Sequence, residues 1–366
     1  VSRLVLAVNP GAGSTKLGLF DGEVLLGEGT LRHAEEEIRA FARIMDQLPM
    51  RLALVRDFLA RAGVAAPGLA AAVGRGGLLP PLESGAWLVS EAMVRDLERA
   101  ERGEHASNLG APLALAVARE HGCPAYVVDP VSVDELWAVA RVSGLAGVER
   151  RSFSHALNMR AVARRHARSL GRSLESLRLV VVHLGTGVSL SAQAGGRMVD
   201  VVNPQDEGPF SGDRSGGVPA TALVGICFAP GAEERAVKRR LFGDGGLCSH
   251  LGTRDAREAL RRAEAGDGKA RLVLEAMCYQ IAKSIGALAA ALGGRPDAIL
   301  LTGGMAHEPW IVGEIRRRVE WMAPVAVHPG EDELRALAEG ALRVLAGEEK
   351  AGSYPPPGRG QTGTQR

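Results

Sequence analysis

The 366 residues predict a two-domain α/β protein, on three observations. A pattern of strand, Gly/Ser turn, strand, Gly turn and strand occurs near the start and again about 175 residues later, which argues for an internally duplicated chain. Stretches with apolar residues at helical spacing lie between and after the two copies. The length is also sufficient for two domains, each with its own core. Strands mixed with helices in two copies imply a layered α/β architecture with an active-site cleft between the domains.

In the first copy, residues 3–8 are β-branched and Leu-rich, 9–15 form a tight polar turn, and 16–20 make the second strand. Asp21-Gly22 is a strong hairpin signal that returns the chain into 23–28. The second copy places strands at 179–184, 188–193 and 198–202, separated by Gly185-Thr-Gly187 and Ala194-Gly-Gly196. Amphipathic helices are expected at 89–102, 111–121, 154–170 and 271–292, the last stopped by Gly293-Gly-Arg-Pro296. A buried strand at 297–301 ends in Thr302-Gly-Gly304; helices follow at 314–322 and, after Pro329-Gly330, at 332–346. The expected domains are 1–152, completed by a C-terminal helix at 332–350, and 153–331. The stretch 351–366, with Pro355 to Pro357 followed by Gly, Gln and Thr, reads as a disordered tail.

The apolar share of 46% and charged share of 23% are ordinary for a globular enzyme. The net charge is +2 and the basic residues are scattered, so nucleic-acid binding is not expected. Four cysteines, Cys123, Cys227, Cys248 and Cys278, are widely spaced with no C-x-x-C pair, which argues against structural zinc and for a reducing compartment. No basic-then-apolar leader opens the sequence, and no uninterrupted apolar run reaches the ~18 residues of a membrane span. A soluble, cytoplasmic protein without membrane partners is expected.

The run Asp206-Glu-Gly-Pro-Phe-Ser-Gly-Asp-Arg-Ser-Gly-Gly-Val-Pro219 is too rich in Gly, Ser and Pro for a helix or strand interior. It reads as a conformationally specified loop that holds Arg214 among glycines, where an anionic ligand can approach closely. Asn9-Pro-Gly-Ala-Gly-Ser-Thr-Lys16 is not a P-loop, because Ser14-Thr15 precede Lys16 and a strand follows. Such a turn can still offer N–H groups and hydroxyls to phosphate, with Asn9, Ser14 and Lys16 as the contacts. Gly185 and Gly187 would meet the same nucleotide from the second copy, and Gly303 and Gly304 would add a third glycine edge.

Three Gly-rich turns at strand ends of two related domains resemble the actin-like ATPase superfamily, whose fold is a duplicated ribonuclease H-like unit. More specific are Val8-Asn-Pro-Gly, Gly74-Arg-Gly-Gly77, Gly103-Glu-His-Ala-Ser-Asn-Leu-Gly110, Val128-Asp-Pro130 and Arg150-Arg-Ser-Phe-Ser-His-Ala-Leu-Asn158. His183-Leu-Gly, Glu207-Gly-Pro-Phe-Ser, Arg214-Ser-Gly, Leu301-Thr-Gly-Gly and Pro329-Gly-Glu331 continue the series in order. This set resembles the acetate kinase family in its shorter butyrate kinase branch, over about residues 3–350.

The resemblance implies reversible transfer of the ATP γ-phosphoryl group to the carboxylate of butyrate or a similar short or branched acid. Arg75 would meet the acceptor carboxylate and Arg214 the transferring phosphoryl. His155 resembles the histidine that hydrogen-bonds the γ-phosphoryl, His183 one near the phosphates, and His105 a further substrate-side histidine. Asp129 and Glu331, with Asn9, resemble the groups that organise Mg²⁺. Asp129 before a proline also fits a turn residue, and Glu331 also fits a carboxylate stabilising the helix that follows it. A homodimer or higher homo-oligomer is implied. The sequence departs from the family at Ala12 and Gly13, where hydroxyl residues are usual, at Asp213 before the arginine, and at Thr186. The rival readings are an acetate or propionate kinase, a sugar kinase on the same fold, and a regulatory nucleotide-dependent ATPase.

Overall fold

The computed structural model describes residues 3–355. The chain divides into two units: one runs to Val133 and resumes at Asp332, and the other spans Asp134–Glu331. The first unit has a six-stranded sheet of β1 (Leu4–Pro10), β2 (Ser14–Asp21), β3 (Val24–Arg32), β4 (Ala71–Arg75), β5 (Ala86–Leu88) and β6 (Ala125–Val128). The second has a five-stranded sheet of β7 (Leu179–Leu184), β8 (Val188–Ala194), β9 (Arg197–Val202), β10 (Ala298–Gly303) and β11 (Val325–Pro329).

The two sheets share one topology. Their orders are β3-β2-β1-β4-β6-β5 and β11-β10-β7-β8-β9. In each, an antiparallel meander is followed by two strands parallel to its first member, β4 and β6 beside β1, and β10 and β11 beside β7. The expected internal duplication is therefore present, and β5 is the one strand that the first sheet adds. The parallel strands are short with apolar inner runs, as Ala71-Ala-Val73 and Ala298-Ile-Leu-Leu301 show, because helices cover such sheets.

Each unit has a helix lying on its parallel strands. Ala156–Ser169 packs on β7 and β10, and Glu333–Leu345 packs on β1 and β4. The second helix approaches so closely that a Cβ on Gly340 would lie 2.5 Å from Val128 Cγ1. The helix Gly110–His121 presses on β4 in the same way: a Cβ on Gly74 would sit 2.0 Å from the Gly110 carbonyl oxygen. Gly77 is equally constrained, because Asn108 Oδ1, which accepts from Leu78 N at 2.9 Å, occupies the space of its Cβ.

Two expectations need correction. The segment 134–152, expected in the first domain, packs within the second unit: Trp137 N donates to Val199 O at 2.9 Å, and Arg150 pairs with Asp200 at 2.9 Å and Glu207 at 2.8 Å. The stretch from Gly352 to Pro355, expected to be disordered, is pinned. Gly352 exchanges backbone hydrogen bonds with Ala86 and Leu88, and the buried Tyr354 donates its hydroxyl to Asp96 at 2.5 Å. An aromatic ring beside the prolines provides the apolar area that composition alone did not weigh; residues 356–366 of the expected tail lie outside the described residues.

The helix Gly268–Ala291 is long and apolar enough to cross a membrane by length and composition, although charged residues interrupt it. It is the core helix of the second unit, with Leu274, Met277, Cys278, Ile281 and Ile285 buried. Desolvation pushes the Cys278 thiol up to about 12, so it behaves as an inert core group.

Gly74→Ala is expected to force β4 and the helix Gly110–His121 apart. Overpacking of this kind typically costs ~1–3 kcal/mol, and backbone in the way of the new methyl puts this site at the upper end. Denaturant unfolding should show the loss; a midpoint equal to wild type would contradict the packing.

Candidate active site

In the first unit, Asn9, Arg75 and Asp129 lie at or just beyond the carboxyl ends of β1, β4 and β6. These are adjacent parallel strands, with Val8 beside Gly74 and Arg75 beside Val128. Open α/β sheets carry ligand sites at this edge. Asn9 is buried and its Nδ2 donates to Glu333 Oε2 at 2.5 Å. Arg75 donates to the same oxygen at 2.9 Å and lies 2.8 Å from Glu333 Oε1. Asn9, Arg75 and Glu333 thus form one polar cluster.

Asp129 is buried and adopts φ 40°, a left-handed conformation that Asp tolerates better than most residues. Its Oδ1 accepts from Gly85 N at 2.7 Å, and its own N–H donates to Gly85 O at 3.0 Å. The turn role is therefore real, and it presents a carboxylate at the strand edge. Lys16 is exposed and sits opposite Asn9 on β2; Ser14 begins that strand. His105 caps a short 3-10 turn through Nδ1, which accepts from Ser107 N at 3.2 Å. Asn108 ties this turn to the segment after Arg75, since its Nδ2 donates to Gly103 O at 3.1 Å and its Oδ1 accepts from Leu78 N.

In the second unit, the arginine loop and the Gly185-Thr-Gly187 turn are bonded together. Gly212 N donates to Thr186 O at 3.1 Å, and a Cβ on Gly187 would lie 2.9 Å from Arg214 Cζ. Both ends of the loop are fixed: Ser211 N donates to Arg214 O at 3.0 Å and Ser215 N to Leu241 O at 2.9 Å. Gly246, at φ 56°, would place a Cβ 1.9 Å from Ser211 O, so only glycine fits there. The result is a guanidinium held against glycine backbone with its Nη1 buried and without a hydrogen-bond partner. Its nearest carboxylate, Asp213, is 3.9 Å away. Burial lowers the Arg214 value from that of a free arginine, but the group remains a cation. Burial also raises the Asp213 carboxyl, while the neighbouring Arg214 and Arg254 lower it.

The His155 and His183 rings stack with centroids 3.8 Å apart. Asn158 Nδ2 donates to Glu331 O at 3.0 Å, so its Oδ1 faces His183 Nδ1 at 2.8 Å and that nitrogen carries the proton. His183 Nε2 is left buried with no hydrogen-bond partner, 3.3 Å from Glu331 Oε1 at a poor angle for a hydrogen bond. A Cβ on Gly185 would lie 2.7 Å from the same Nε2, so the glycine keeps the face of this nitrogen clear. His155 Nδ1 contacts Ser189 Oγ at 2.8 Å. Gly303, at φ 90°, lies against Leu184 backbone and exchanges hydrogen bonds with Gly330. Gly304 is exposed beside it. The second unit thus gathers Arg214, His155, His183, the glycine edges and Glu331.

A sequence model of the acetokinase family matches residues 136–322, just over half of the chain. The chain belongs to the acetokinase family. Members of this family are carboxylate kinases that use ATP with a divalent metal. Solved structures agree on the fold. The Porphyromonas gingivalis acetate kinase aligns at TM-score 0.76 and 20% identity, over 94% of this chain and 100% of that one. A propionate kinase from Francisella tularensis subsp. tularensis SCHU S4 aligns at 0.72 and 17%, over 92% and 98%. The ROK hexokinase from Thermus thermophilus aligns at 0.50 and 15%, over 94% and 99%, which extends the likeness to the wider actin-like fold.

Sequence reasoning missed Glu333, Asn158 and Ser189. Glu333 lies two residues past the Pro329-Gly-Glu331 motif and opens the helix Glu333–Leu345, a position where a carboxylate reads as helix stabilisation. Asn158 was inside a quoted motif, but its partner His183 is distant in sequence. Among the described residues no cluster of three His, Cys, Asp or Glu side chains is arranged to hold a metal. Mg²⁺ does not need one, since it takes one or two carboxylates plus waters and substrate phosphates. Asp129 offers one buried carboxylate at the strand edge for such a site, whereas Glu333 is engaged by Arg75 and Asn9.

Gly187→Ala is expected to displace the Arg214 guanidinium while leaving the strands in place. A crystal structure of the variant would show a changed Arg214 rotamer. An unmoved arginine would contradict the contact.

Proposed function

We propose that the protein transfers the γ-phosphoryl group of ATP reversibly to butyrate or a similar short or branched-chain fatty acid, giving an acyl phosphate and ADP. The observation that carries this reading is the half-buried Arg214 guanidinium, set against Gly187 with its Nη1 buried and unpartnered. A guanidinium nitrogen desolvated without a hydrogen-bond partner, with the nearest carboxylate 3.9 Å from the group, is completed by an anion, and a phosphoryl group matches its planar fork.

The acceptor is already a carboxylate at pH 7, so no general base is needed. One of its oxygens forms the new bond to phosphorus as the bond to the bridging oxygen breaks, and ADP leaves with that electron pair. The barrier comes from bringing two anions together in line, so catalysis is positioning plus charge neutralisation. Arg75 meets the acceptor carboxylate, with Asn9 and Glu333 fixing its orientation and His105 at the edge of the same segment. Arg214 takes the transferring phosphoryl. His155 donates to it when protonated, and His183 lies by the phosphates at the Gly185 turn. Asn9, Ser14 and Lys16 contact phosphate from the first unit, and Gly185, Gly187, Gly303 and Gly304 supply backbone approach. Asp129, Glu331 and Asn9 would hold Mg²⁺ directly or through water, and the ion would neutralise charge on the β- and γ-phosphates. Acetate or propionate as acceptor has support from the fold neighbours that act on them.

The reading carries a cytoplasmic enzyme with it, assembled as a homo-oligomer. For assembly the candidate contact is the helix Ala220–Cys227 and Phe228 beyond it: the helix has no buried residue, and Phe228 is 84% exposed.

Acyl phosphate trapped as the hydroxamate, across straight and branched acids from one to six carbons, tests the acceptor. A maximum at four carbons is expected; a strong preference for acetate or propionate would move the acceptor to those acids. No acid-dependent product would overturn the reading. Arg214→Ala should lower kcat by at least ~10²–10³ with unchanged melting, and near-normal turnover would remove its role. Arg75→Ala should raise KM for the acid more than KM for ATP.

A further inference from the structure

Arg51 is fully buried on the helix Leu48–Arg61, and among the described residues no carboxylate pairs with it. Burying an arginine costs several kcal/mol unless its donors are satisfied. Every acceptor around it comes from Gln47 or the first glycine turn. Gln47 Oε1 accepts at 2.8 Å and 3.1 Å, Gly11 O at 2.9 Å, Thr15 Oγ1 at 3.0 Å, Ser14 O at 3.2 Å and Ala12 O at 3.4 Å. Thr15 Oγ1 is held from the other side by His33 Nε2 at 3.0 Å.

A trans peptide points its C=O and N–H in opposite directions. With Gly11 O and Ala12 O turned inward to the guanidinium, the N–H groups of Ala12 and Gly13 point outward. Neither donates to a protein acceptor among the described residues, and both residues are exposed. Two successive outward N–H groups make an anion-binding nest.

We propose that Arg51 is a positioning residue that holds the Gly11–Thr15 turn with its amides facing a phosphate group. The turn then binds phosphate through backbone N–H groups, which replaces the hydroxyls this chain lacks at Ala12 and Gly13. The role of the turn rests on the carboxylate kinase reading; the inward carbonyls do not. Arg51 touches no substrate and acts through the backbone.

Arg51→Met keeps the buried volume and removes all five donors; Arg51→Lys keeps the charge and some of them. Calorimetry with MgATP and with adenosine, and amide hydrogen exchange over residues 10–16, read the effect. Loss of two charge-assisted contacts predicts MgATP affinity about tenfold weaker in Arg51→Met, with adenosine affinity unchanged. Exchange in the turn should be faster, and Arg51→Lys should fall between the two. A folded Arg51→Met that binds MgATP as wild type does would overturn the proposal. If that variant does not fold, wild-type affinity and exchange in Arg51→Lys would overturn it instead. Wild type that binds MgATP but phosphorylates no acid would sink the kinase reading while leaving the Arg51 comparison decisive for the turn.

Discussion

The contact of the Arg214 guanidinium with Gly187 constrains much of the second unit. A side chain at residue 187 would displace the arginine, and a side chain at residue 246 would displace the loop that carries it. The bond from Gly212 N to Thr186 O then locks loop and turn into one piece. Within the proposed reaction, Arg214 meets its ligand with one guanidinium nitrogen already desolvated, so little reorganisation is left. A surface arginine paired with a carboxylate would first have to be stripped of its partner.

Duplication explains why the site residues lie where they do. In each sheet the parallel strands end at one edge, and there Asn9, Arg75 and Asp129 emerge in the first unit and His183, Gly303 and Gly330 in the second. The units have diverged in what they carry. The first holds a carboxylate, an amide and a guanidinium in mutual contact. The second leaves one arginine nitrogen and one histidine nitrogen without a hydrogen-bond partner.

Much of this was legible before the structure, where pattern and chemistry agreed. The strand at 179–184 and its glycine turns were read correctly because a β-branched apolar run that breaks into a glycine turn has few alternatives. The helix read as 89–102 is Glu91–Arg99, capped by Ser90 Oγ accepting from Met93 N and ended at Ala100, which has φ 52°. The strands β4, β6 and β11 went unread, because runs of only four or five residues carry no periodic signal that separates strand from helix. The helix Leu48–Arg61 was also missed, and with it Arg51, whose partners lie some 40 residues away. At the site, arginines among glycines were conspicuous in sequence. Glu333 was not, because its proximity to Asn9 and Arg75 arises only when the last helix lies on β1 and β4.

Phosphorus NMR of the protein with MgATP and ¹⁸O-labelled butyrate tests the central claim most directly. Attack by the carboxylate on the γ-phosphorus predicts an acyl phosphate resonance that appears together with ADP, isotope-shifted by a bridging ¹⁸O. Release of unlabelled inorganic phosphate, with no acyl phosphate resonance, would contradict it.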